Sequence, residues 1–77
     1  MNAMQFRKSS QYEEAVNKIK SYPKGFKFTM YYNEIPKAKV NALKIVLNDC
    51  CDAKLLSKEA IGINLDGDVA DETFIRL

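Results

Sequence analysis

Residues 37–56 read KAKVNALKIVLNDCCDAKLL, and the spacing of their apolar side chains restricts what the chain can fold into. Val40, Leu43, Val46, Leu47 and Cys50 recur at intervals of three and four, the repeat of one helix face, and Ala42, Ile45 and Cys51 widen that face. Pro36, just before the segment, has no N–H to donate and suits the first position of a helix. The spacing predicts a long helix over about 37–53 with one side turned to a core. The β-branched pair Ile45 and Val46 lowers helix propensity only slightly, and burial outweighs that. On another side Lys37, Asn41, Lys44 and Asn48 follow at steps of four, three and four, so they also share a face.

The flanking segments divide into short elements. Residues 1–9, ending in RKS, read as a flexible basic lead-in. Ser10 and Glu13 have the spacing of a capping box, and Tyr12, Ala15, Val16 and Ile19 follow at helical intervals, so a first helix is predicted over about 11–21, stopped by Pro23 and Gly25. Phe26, Phe28 and Met30 alternate with Lys27, Thr29 and Tyr31, the pattern of a half-buried strand at about 26–30. YYNEI, before Pro36, is compatible with more strand or with one helical turn. After the long helix, Ile61, Ile63 and Leu65 alternate with Ala60, Gly62 and Asn64, and Asp66-Gly67 is a turn signal. A returning strand through Phe74, Ile75 and Leu77 completes a hairpin; a brief final helical turn capped by Asp71 is the alternative.

Seventy-seven residues leave room for one α+β domain with one modest core, and 47% apolar residues place the chain among globular proteins. A core of this size leaves a slim stability margin that a homodimer or a protein partner would widen. No apolar run is long enough to span a bilayer and the N-terminal residues lack a secretory pattern, so a cytoplasmic location with no membrane association is expected. Cys50 and Cys51, neighbours on a helix, point about 100° apart, a poor geometry for a mutual disulfide. With no His in the chain they are not an ordinary four-ligand zinc set, and small core residues is the plainer reading. Charge is unevenly spread. Residues 1–44 hold nine Lys or Arg against three Glu, whereas residues 45–77 hold three basic against seven acidic side chains.

The order helix, short strand, turn or short helix, long helix, hairpin resembles a winged helix-turn-helix domain over about residues 11–77. In that resemblance the helix ending in VLNDCCDAKLL corresponds to the recognition helix, and the hairpin to the wing. The likeness rests on hydrophobic spacing. Two features set this chain apart: only MYYNEIP, residues 30–36, is available for the first member of the helix-turn-helix, and the hairpin tip is acidic where a phosphate-tracking wing carries Lys or Arg.

An enzyme is not expected. The chain lacks His for acid-base work, a nucleophile with its usual neighbours and a glycine-rich phosphate cradle, and no cofactor is implied. DGDVADE does not have the ligand spacing of an EF-hand loop, so no metal site is assigned. The leading expectation is binding of double-stranded DNA by a small regulatory or accessory protein. Asn41 has the chemistry to pair bidentately with adenine, and Lys44 to reach guanine acceptors or a phosphate. Lys37 and Lys39, helped by Lys24, Lys27 and the Arg7-Lys8 segment, would hold the backbone, with Asn48 continuing the face. An ordinary solvated helix face accounts for the same row. The alternative function is a protein-binding adaptor or inhibitor acting through the acidic hairpin residues Asp66, Asp68, Asp71 and Glu72, with Tyr31 or Tyr32 as an aromatic contact and the other ring in the core.

Overall fold

The computed structural model describes residues 2–77. Its elements run α1 (Ala3–Arg7), α2 (Ser10–Lys20), β1 (Lys27–Tyr31), a 3-10 turn (Tyr32–Glu34), α3 (Lys37–Asp52), β2 (Leu56–Ile63) and β3 (Val69–Arg76). Helix, strand, short turn, long helix and hairpin follow in the predicted order, and the topology agrees in general terms with a winged-helix domain. All strand pairs are antiparallel and the sheet order is β1-β3-β2, so the last strand occupies the middle.

The lead-in carries a short helix, α1. Asn2 caps α1: its side chain accepts from the Gln5 N–H at 2.9 Å and its N–H donates to Gln5 Oε1 at 3.0 Å, a reciprocal capping box. Arg7 then makes a two-pronged contact with Asp49 of α3, from Nε at 2.8 Å and Nη2 at 3.0 Å. Tyr12 Oη donates to the same carboxylate at 2.7 Å, and the Phe6 and Tyr12 rings meet edge to face. The guanidinium bond holds the Asp49 carboxyl below its ordinary range, against burial, with Tyr12 assisting. Helix α2 is capped by Ser9, one residue before the expected Ser10, whose Oγ accepts from the Tyr12 N–H; Glu13 thereby falls one position beyond the reciprocal place in a box.

Gly25, at φ +87°, turns the chain into β1 and donates its N–H to the Arg76 carbonyl at 2.7 Å. Strand β1 begins one residue later than predicted. A 3-10 turn follows in MYYNEIP, the segment that the winged-helix resemblance gave to the first member of a helix-turn-helix, and no α-helix forms there. Ile35, held extended before Pro36, ends the turn. Helix α3 then buries Val46, Leu47 and Cys50, with Val40, Leu43 and Cys51 packed beside them. It closes with two bonds, Leu55 N–H to Cys50 O at 2.8 Å and Lys54 N–H to Cys51 O at 3.0 Å, with Lys54 in the left-handed region at φ +60°. That is a Schellman ending with lysine where glycine is usual.

The core gathers Ile19, Tyr32, Val46, Leu47, Cys50, Leu56 and Phe74 between the helices and one sheet face. Phe28 and Phe74 face each other across β1 and β3 with ring centroids 5.6 Å apart. On the other face Thr29 and Thr73 share a hydroxyl bond of 2.8 Å. The β2–β3 register shifts between Lys58 and Ala60 and again between Gly62 and Ile63. At the tip Asn64 Oδ1 accepts from the N–H groups of Asp66 and Asp68, both at 3.0 Å, and Gly67 supplies φ +86°. The strand continues through Asp71, so the alternative final helical turn does not form.

Candidate nucleic-acid interface

Along α3, Lys37, Asn41 and Asn48 are exposed on one side, as their spacing predicts. Asp52, one turn beyond Asn48, is exposed as well. Lys39 is exposed on the neighbouring flank, at the rim of a shallow groove formed with Phe6, Ala15, Ala38, Ala42 and Leu43. Ile45, the apolar residue least easily assigned by spacing, is half-buried beside Phe6 and Asn41.

Lys44 differs from its three companions. It is half-buried at the edge of the row, leaning toward the sheet, with Nζ 4.9 Å from the centre of the Tyr32 ring. Tyr32 Oη donates to Glu72 Oε1 at 2.6 Å, and Lys58 Nζ lies 2.7 Å from Glu72 Oε2. Four side chains from α3, the turn before it, β2 and β3 thus form one network. Burial on its own would raise the Glu72 carboxyl, but the bonds from Lys58 and Tyr32 and the nearby Lys44 charge outweigh it and hold the acid below its ordinary range. Burial, reinforced by the bond to Glu72, pushes the Tyr32 phenol up.

Of the tyrosine pair Tyr32 is therefore the ring in the core, and Glu72, expected on the acidic hairpin surface, is buried. Tyr32 is 6% exposed and Glu72 7% exposed, and they are bonded to each other. Glu72 lies within β3, opposite Met30 and Ile61, because the strand starts at Val69 and carries the acid away from the tip. Asp71 is half-buried opposite Tyr31 and Gly62. Asp66 and Asp68 alone occupy the tip, and Tyr31 is the exposed ring of the tyrosine pair.

The basic residues fall into separate groups. Lys24 and Lys27 lie at the end of β1 where Lys27 opposes Ile75, whereas α3 starts beyond the other end, after Tyr31. The strand alone separates the two by roughly 13 Å. Arg7 is committed to Asp49.

Sequence reasoning missed Lys58, which nothing in its local context marks, and the surface made by Ile61, Ile63 and Leu65. Their alternation was legible, but their exposure was not: Ile61 is 51% and Ile63 59% exposed, and Leu65 is fully so. Cys50 and Cys51 are free thiols raised by burial. Among the described residues no cluster of three or more Cys, Asp or Glu could hold a metal ion, and no helix is long and apolar enough to cross a membrane. Comparison with family models, curated proteins and solved structures found no match.

Proposed function

We propose that this chain is a small DNA-binding module that lays the outer face of α3 in the major groove. The observation carrying the reading is that Lys37, Asn41 and Asn48 are exposed in one row on a 16-residue helix, and that neither Lys37 nor Lys39 has an ion-pair partner among the described residues. A helix of that length is about 24 Å long, and its diameter of about 10–12 Å with side chains matches the roughly 12 Å width of the major groove. Asn41 offers a donor and an acceptor suited to an adenine edge. Lys37 and Lys39 supply phosphate contacts. In this arrangement the hairpin lies beside the helix as a wing, though its acidic tip keeps Asp66 and Asp68 off the phosphates.

The test is a titration of random-sequence duplex over a salt series. Replacing Lys37 and Lys39 by Ala should weaken binding and flatten the salt slope by about 0.9 per lost phosphate contact, with an unchanged melting curve. Absence of salt-sensitive binding by the unaltered protein at low micromolar concentration ends the proposal.

A second reading has its own support: Ile61, Ile63 and Leu65 are exposed aliphatic side chains that lead into the acidic tip residues Asp66 and Asp68. Such side chains suit a protein contact better than a DNA backbone. Substituting the three by Thr, Thr and Ser should then abolish partner recovery or lower the molecular mass measured in solution. An unchanged mass and recovery profile would dispose of it.

A further inference from the structure

We infer that Glu72 is a positioning residue that restrains the affinity of the α3 surface for polyanions by occupying Lys44 and Lys58; this rests on the DNA-binding reading above. Both carboxylate oxygens of Glu72 are taken, Oε1 by the Tyr32 hydroxyl at 2.6 Å and Oε2 by the Lys58 ammonium at 2.7 Å. The Tyr32 bond fixes the ring on which Lys44 sits, 4.9 Å from its centre. One buried acid thereby holds one lysine directly and a second through an aromatic platform. Its cross-strand neighbours are Met30 and Ile61, both apolar. An apolar residue between them would keep the packing, and the ion pair with the exposed Lys58 adds little stability by itself. The acid therefore contributes something other than packing, and what it does in this geometry is engage the two lysines that flank the seam between α3 and the hairpin. A phosphate arriving at that seam must compete with Glu72 for Lys58 and draw Lys44 from its ring.

Glu72→Gln removes the charge while leaving an oxygen to accept from Tyr32. In the random-duplex salt series the variant should bind roughly 3- to 10-fold more tightly at low salt, with a slope steeper by about 0.9 for each lysine that gains a phosphate. Adding Lys44→Gln and Lys58→Gln to it should cancel the gain. Lys58→Gln alone should leave the slope unaltered and affinity within about two-fold, because that lysine is already engaged; this variant carries the test if Glu72→Gln proves unfolded by circular dichroism. Equal slope and affinity for Glu72→Gln and the unaltered protein, or a slope lost in Lys58→Gln, overturns the inference while leaving DNA binding standing. No salt-sensitive binding by the unaltered protein overturns the DNA reading and this inference with it.

Discussion

Tyr32 Oη lies 2.6 Å from Glu72 Oε1, which fastens the turn that launches α3 to the central strand of the sheet. Both side chains are buried, so the bond has little competition from water. Tyr32→Phe keeps the ring but leaves Glu72 short of one donor. It is expected to lower unfolding free energy by about 1–3 kcal/mol, read from urea titration.

Acid should weaken the fold through Asp49 and Glu72. Both carboxyls are depressed in the folded chain, from ordinary values of 3.8 and 4.5. A depressed acid contributes stability above its unfolded value and loses it as pH falls through the folded one. Melting temperature should thus hold from neutral pH to about pH 5 and drop below it. Asp49→Asn should flatten that drop, measured by thermal melts across the series. A flat profile in the unaltered protein would contradict the pairing of Arg7 with Asp49.

Lys54 sits at φ +60° at the end of α3, a conformation that strains any residue with a Cβ. Lys54→Gly relieves the strain and adds unfolded-chain entropy. The net expectation is a gain of about 0.5–1 kcal/mol in chemical denaturation.

Asn64 gathers the hairpin tip by accepting two backbone N–H bonds. Asn64→Ala should cost about 0.5–1.5 kcal/mol. Amide exchange should rise first at Asp66 and Asp68, while α3 stays protected.

Ile61, Ile63 and Leu65 are exposed, so their combined polar replacement should change stability by no more than about 0.5 kcal/mol per site. A large loss in the melting curve would mean that these side chains are covered in solution.

Periodicity made α2, α3 and the hairpin legible because each repeats over several turns or pleats. Boundaries slipped by a residue where two serines, Ser9 and Ser10, offered equal caps and only the docking of Tyr12 and Phe6 selects between them. The helix and contacts of the first residues were not legible for another reason. Their charges suggested solvent, yet Arg7 finds Asp49 forty-two positions away, a pairing that no local spacing encodes. At the candidate site, helical geometry was enough to place Lys37, Asn41 and Asn48 on an open side. It was not enough for Lys44 or Glu72, whose surroundings come from four elements brought together by the tertiary fold.

Strand β3 stands between β1 and β2, so neither outer strand has a hydrogen-bonding neighbour until Val69–Arg76 arrives. Whenever that stretch is unpaired, Lys27–Tyr31 and Leu56–Ile63 have no ladder in the sheet and stay open to foreign strands. Sheet formation therefore waits on Val69–Arg76, whose pairing gives both outer strands their one ladder at once.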